Sequence, residues 1–243
     1  MTGSLNRSLL VTRPLKDSMS FSKEVHRLNK SLNIVCGPLF EIKILPIKKS
    51  LFKTDAIIVT SSNAVKSLEK SNIGFSGPMY CIGSATAEVA KKAGFLAVSA
   101  DGNSFDLQKL IRNIIHTNNQ RLLYLRGQEI FSDLAGDLRK QNYFVDEIVC
   151  YKKEKQTLER KVIEGIAEKQ ILGATFFSKQ TVNLFFDQVI TVPKEFVAFC
   201  MSKEVAREFR LCTTRTNVET RVPKVPNLKA MCKLIIAAPE FIA

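Results

Sequence analysis

The sequence predicts an α/β protein of two doubly wound parallel-sheet lobes, the second inserted into the first. Three observations lead there. Short, uninterrupted apolar strands alternate with amphipathic helical stretches along most of the 243 residues, as in parallel sheets covered on both faces. Motifs of the first half return, in the same order, in the second. Two long extended stretches, 37–47 and 142–155, fit neither set of helices; they read as the chain leaving one lobe and returning to it.

The elements follow in order. "SLLVTRP" (8–14) reads as a first strand, followed by a helix near Ser18–Asn29. "GPLFEIKILPI" is the first extended crossing. "DAIIVTS" (55–61) precedes a helix over Asn63–Lys70, and "PMYCIGS" (78–84) precedes one over Thr86–Ala93, with Gly94 placed as a C-cap. "AVSA" leads to "SFDLQKLIRNIIH" (104–116), and "RLLYLRG" (121–127) leads to "FSDLAGDLRKQN" (131–142). "NYFVDEIVCYKKEK" is the second crossing.

Beyond it the halves rhyme. "VTSSNAV" pairs with "FFSKQTV", aligning Ser61 with Ser178 and Val65 with Val182. "YCIGSATAEVAKK" pairs with "FCMSKEVARE", aligning Cys81 with Cys200 and Gly83 with Ser202, and "NSFDLQKLI" pairs with "PNLKAMCKLI".

Composition narrows the function classes. Hydrophobic residues make up 45% and charged residues 24%, a soluble globular balance. No apolar run has the length of a membrane span; the tail "KLIIAAPEFIA" is broken by Pro239 and Glu240. The N-terminus lacks a secretory h-region, so a cytoplasmic protein is expected. The six cysteines form no CxxC and no framework, and His26 and His116 lie far apart, so no metal site is expected. Ser20 and Lys23 form an isolated SxxK without partner motifs. The formal charge of +13 favours an anionic partner or serves solubility alone. Nucleic acid rests on charge only, since zinc-finger, RNA-binding and glycine-loop motifs are missing.

The segment "VTSSNAV" places Thr60, Ser61, Ser62 and Asn63 between an apolar strand and a helix. Such residues cap helix N-termini, and the same hydroxyls and backbone N–H groups can hold a carboxylate. The second copy, Ser178 to Thr181, and the "GSAT" turn, Gly83 to Thr86, would make an array of donors at strand ends.

Seven landmarks, in order, resemble the uroporphyrinogen-III synthase family: "LLVTRP" (9–14), "PLFEI" (38–42), "IIVTSSNAV" (57–65), "CIGSATAEVAKKAG" (81–94), "LLYLRG" (122–127), "VDEIVCY" (145–151) and "FFSKQTVNLF" (176–185). The resemblance implies two α/β lobes joined by a two-stranded β linker, with the active site in the cleft between them. Lobe one would be 1–36 plus 154–243, lobe two 47–142, and the linker strands 37–46 and 143–153. It implies closure of the linear tetrapyrrole hydroxymethylbilane to uroporphyrinogen III, with loss of water, inversion of the terminal pyrrole and no cofactor. The implied partner is a polycarboxylate substrate, with neither nucleic acid nor membrane, in a monomer making at most transient contact with neighbouring pathway enzymes.

Candidate roles follow from the resemblance. Tyr151 would donate a proton to the leaving hydroxyl or anchor the linker strand. Thr86 would bind a carboxylate or orient the leaving group, or else satisfy its own helix terminus. Arg13 and Arg126 would take carboxylates or form ion pairs that stabilise the fold. Ser61, Ser62, Asn63, Gly83, Ser84, Ala85, Ser178, Lys179, Gln180, Ser202 and Lys203 would line the substrate's carboxylates. Two departures stand out: "CMSKEVA" puts Lys203 and Glu204 where the family often has small hydroxyls, and "YKK" follows Tyr151 where a hydroxyl two residues on is common. A non-catalytic two-lobed binder of an anionic ligand is the alternative reading.

Overall fold

In the computed structural model, which describes residues 7–47, 53–116, 119–130, 132–215 and 217–241, the chain begins with strand β1 (Ser8–Val11). Helix α1 (Leu15–Leu28) starts directly after Pro14, earlier than the expected Ser18. A proline lacks the N–H that a first helical turn leaves unpaired anyway, so it marks the start without cost. Next come β2 (Asn33–Cys36), β3 (Phe40–Ile44), β4 (Ala56–Val59), α2 (Ser62–Lys70), β5 (Pro78–Cys81) and α3 (Ser84–Lys92). They are followed by β6 (Leu96–Ser99), α4 (Ser104–Ile114), β7 (Arg121–Gly127), α5 (Leu134–Lys140), β8 (Phe144–Lys155) and α6 (Arg160–Ala167). The last group is β9 (Ile171–Phe176), α7 (Lys179–Phe186), β10 (Val197–Cys200), α8 (Lys203–Cys212), β11 (Glu219–Arg221) and α9 (Leu228–Ile236).

Helix starts and stops obey local chemistry. Asn103 closes a capping box with Asp106 at α4, and Asn227 caps α9. Helix α5 was expected from Phe131, which lies outside the described residues; the helix begins at Leu134, where the Asp133 carboxylate accepts from Gly136 N. Gly94 follows α3 at φ +87°, a left-handed geometry that glycine adopts freely.

The chain divides into two compact units, Met1–Glu41 with Lys155–Ala243, and Ile42–Glu154. The discontinuous first unit holds a parallel sheet in the order β11-β10-β9-β1-β2. The second runs β3-β8-β7-β4-β5-β6, with β8, β7, β4, β5 and β6 parallel. Leu45 N donates to Cys150 O, and Gln156 N to Leu39 O. As one strand advances the other retreats, so β3 and β8 run antiparallel.

Each sheet is buried on both faces, which is why its strands read as continuous apolar runs. In the first unit Leu9 and Val11 face a core with Phe21, Val25, Phe199 and Met231, while Leu10 faces Phe176, Phe185 and Phe209. In the second, Ile57 and Val59 pack with Val65, Leu68 and Met79, and Ile58 packs with Leu107, Ile111 and Tyr124.

The strand registers superpose the units residue by residue. Read from β6 and from β11, both sheets have the same spatial order: β6-β5-β4-β7-β8 against β11-β10-β9-β1-β2. Val59 then matches Phe176, Ser61 matches Ser178, and Cys81 matches Cys200. Tyr124 matches Val11, because each pairs with a matching residue of the central strand, Ile58 or Thr175. Arg126 and Arg13 follow two residues later.

Candidate functional site

At the carboxyl end of β4 the chain leaves the sheet through Thr60 and Ser61 and enters α2. Ser61 is extended (φ −150°, ψ 142°), and its hydroxyl oxygen accepts from Asn63 N at 3.2 Å. It also lies beside the Tyr151 phenol of β8, whose charged form it favours. Thr60 Oγ1 lies 3.1 Å from the hydroxyl of Tyr124 on β7. Each strand-end hydroxyl thus meets a phenol. Ser62 and Asn63 form the first turn of α2, both half-buried, and Asn63 Oδ1 accepts from Lys66 Nζ at 3.4 Å.

Gly127 makes room for the tyrosine. A Cβ there would lie 2.7 Å from Tyr151 Cε2 and 3.0 Å from its hydroxyl, well inside contact distance, so only glycine lets the ring pack against β7. Burial pushes the Tyr151 phenol up, opposed by its hydrogen bond with Ser61 and by the Gly127 backbone. Burial raises Tyr124 as well. Both phenols are proton donors near neutral pH.

Arg126 is engaged within its own unit. Its Nε donates to Glu147 Oε2 at 2.5 Å and its Nη1 to Gly127 O at 2.9 Å, while Glu147 Oε1 accepts from Arg139. Arg13 pairs with Asp17 at 3.0 Å and lies 4.6 Å from the Phe177 ring centroid.

The "GSAT" turn is barer. Gly83 precedes α3 with no capping side chain and open space where a Cβ would sit. Ser84 and Ala85 are exposed. Thr86 is buried, its N–H donating to Gly83 O at 3.1 Å; among the described residues its hydroxyl makes no hydrogen bond. An uncapped helix start presents unpaired N–H groups and a partial positive charge.

The first unit fills the matching positions differently. Ser178 caps α7, its hydroxyl 2.7 Å from that of Thr181. Lys179 is exposed and Gln180 half-buried. Ser202 caps α8, and the exposed Glu204 carboxylate is held low first by its hydrogen bond with Ser202 and also by the charges of Lys179 and Lys203. The helix that is open in one unit therefore carries its own carboxylate in the other. Of the residues after Tyr151, Lys152 pairs with Glu154 and Lys153 with Glu129.

The structure brings Thr60, Ser61, Arg126 and Tyr151 together in the second unit, and Ser178, Lys179, Ser202 and Lys203 in the first. Sequence reasoning missed Tyr124 and Glu147. A single phenol in the otherwise aliphatic run "LLYL" was the available signal for Tyr124; Glu147 carried none. The buried thiols are inert, with Cys81 and Cys232 pushed up by burial to about 11 and Cys150 and Cys200 to about 12. Among the described residues no group of three His, Cys, Asp or Glu can hold a metal ion, and no helix is long and apolar enough to cross a membrane.

Two largely parallel sheets, each ending in capped or open helix starts with hydroxyls at the strand ends, define a two-unit α/β protein with polar strand ends. The chain belongs to the uroporphyrinogen-III synthase family: the model described as uroporphyrinogen-III synthase HemD matches residues 28–233. The fold is similar to that of uroporphyrinogen-III synthetase from Helicobacter pylori 26695, with 17% identity, TM-score 0.63, and coverage of 95% of this chain and 99% of that one. It is also similar to a mutant uroporphyrinogen III synthase from the extremely thermophilic bacterium Thermus thermophilus, at 14% identity, TM-score 0.54, and 93% and 96% coverage. No curated protein matches the chain significantly.

Proposed function

We propose that Tyr151 is the proton donor in the ring closure this family performs, and that the strand-end turns hold the substrate's carboxylates. The reaction converts hydroxymethylbilane to uroporphyrinogen III. Water leaves as the hydroxyl of the hydroxymethyl carbon plus the Tyr151 proton, the N–H of that pyrrole gives up a proton that restores the phenol, and an electrophilic azafulvene remains. The substituted carbon of the terminal pyrrole attacks that electrophilic carbon; the spiro intermediate fragments and recloses with that ring inverted. Unaided closure gives the uninverted isomer, so much of the catalysis lies in holding the folded polyanion.

The observation that carries the assignment is the Tyr151 phenol, held between Ser61 and Gly127. The Ser61 hydroxyl favours the phenolate form, as a proton donated to the phenol oxygen does, and the phenol proton is then left for the leaving hydroxyl. Burial keeps that proton in place at neutral pH. The uncapped start of α3, with Gly83, Ser84 and Ala85, suits a carboxylate, and the Thr86 hydroxyl suits an orienting contact. Ser62, Asn63, Ser178, Lys179, Gln180, Ser202 and Lys203 supply further donors, and Arg13 one guanidinium. The chain works as a cytoplasmic monomer, with transient contact to the enzymes before and after it.

Tyr151→Phe is the test, since it keeps the ring and removes only the proton. General acids contribute ~10²–10⁴-fold, but water or a substrate carboxylate can substitute, so turnover should fall about tenfold or more with type III product still formed. Wild-type turnover at an unchanged melting temperature would reduce Tyr151 to a wall of the site.

A further inference from the structure

We propose that Tyr124 is a positioning residue: its phenol holds the Thr60 hydroxyl so that the threonine's own proton points away from the sheet toward substrate. The inference rests on the function proposed above and extends it to Tyr124, giving the Thr60 hydroxyl a fixed direction.

Proton accounting sets the direction. Tyr124 is 5% exposed, and Thr60 is its hydrogen-bond partner, at 3.1 Å. A buried phenol that fails to donate leaves an unsatisfied donor, which costs more than the bond gains. Tyr124 therefore donates and Thr60 accepts. The Thr60 side chain is half-buried, and its single proton is then free for an acceptor, such as a substrate carboxylate, beyond the end of β4.

The sibling unit shows that the fold does not need this pair. Registers place Val11 where Tyr124 stands and Phe177 where Thr60 stands. Both are apolar there, and Val11 is fully buried. The same sheet position is filled by hydrocarbon in one unit and by a hydrogen-bonded hydroxyl pair in the other. Thr60 is also the chain neighbour of Ser61, which holds Tyr151, so consecutive residues present two oriented protons, one directly and one through a phenol.

The test measures kcat and KM for hydroxymethylbilane, together with the ratio of inverted to uninverted product. The variants are Tyr124→Phe, Thr60→Val, Thr60→Ser and the double Tyr124→Phe/Thr60→Val, each with its melting temperature. Tyr124→Phe should lower kcat/KM about three- to tenfold, the span of one oriented hydrogen bond, chiefly through KM. Thr60→Ser should stay near wild type, because it keeps the hydroxyl. The double variant should be no worse than Thr60→Val alone, since Tyr124 acts through that hydroxyl. The proposal is overturned if Tyr124→Phe shifts only the melting temperature, or if its effect on kcat/KM persists undiminished on the Thr60→Val background. Production of type III isomer by the wild-type chain in the same assay tests the underlying function separately.

Discussion

The two units repeat one five-strand order and begin it at different strands. Within that order the first begins at β1, beside the central β9; the second, after the antiparallel β3, begins at the central strand β4. Matching strands and registers with different starting points describe a circular permutation, and it turns the molecule into an internal control. Where both units place the same kind of residue, as with Cys81 and Cys200 or the caps Ser61 and Ser178, the fold accounts for it. Where they differ, as Tyr124 and Thr60 differ from Val11 and Phe177, the fold has already accepted hydrocarbon. The polar choice then needs another reason.

The sharpest break in the comparison is at Gly127. Gly127→Ala drives a Cβ into the Tyr151 ring, at 2.7 Å from Cε2. It should cost about 1–3 kcal/mol of stability and at least the about tenfold in turnover assigned to the tyrosine; calorimetry and steady-state kinetics read both. The matching arginines come next. Glu147 is one-fifth exposed and holds Arg126 and Arg139, whereas Asp17 is half exposed beside Arg13. Glu147→Gln should destabilise by about 1–3 kcal/mol in urea titrations, and Asp17→Asn by under about 0.5 kcal/mol. Equal effects would erase the distinction between the two arginines.

Thr86→Val makes the second unit read like the first, where Val205 stands. Its hydroxyl has no partner among the described residues, so stability should hold. KM should rise about threefold or more, with kcat within about twofold; a pure fall in kcat would assign Thr86 to the chemistry instead. The smallest effect runs the other way. Thr175 is fully buried and its Oγ1 has no hydrogen-bond partner among the described residues, while Ile58 stands in the matching position. Thr175→Val should raise stability by about 1 kcal/mol, seen as a higher melting temperature at unchanged activity.

Much of the fold was legible because parallel strands buried on both faces announce themselves as apolar runs, and their helix starts as Ser, Asn or Gly. Ser61, Ser178, Gly83 and Ser202 all stand at the helix starts their motifs implied. The repeat was visible as well, though motifs alone did not show that β7 and β8 take the places of β1 and β2. That correspondence depends on strand neighbours, which no local pattern encodes. The arginines were ambiguous for the same reason: Arg126 meets Glu147 across a strand pair, 21 residues away in sequence. Tyr124 looked like one more strand residue because its partner, Thr60, is 64 residues distant.

The permutation also sets an order of assembly. Thr12 hydrogen-bonds Thr175 across 163 residues, so β1 and β2 cannot complete their sheet until β9 exists. All strands of the second unit lie in the interval. At ~5–20 residues per second during synthesis, β1 waits on the order of 10 s for its central neighbour, long enough for the contiguous unit to close first. Pulsed hydrogen exchange on refolding chains should protect Ile57–Val59 amides before those of Leu9–Val11. In a newborn chain the ends are the last to find their place, and a truncation before β9 leaves β1 and β2 with only each other to pair with.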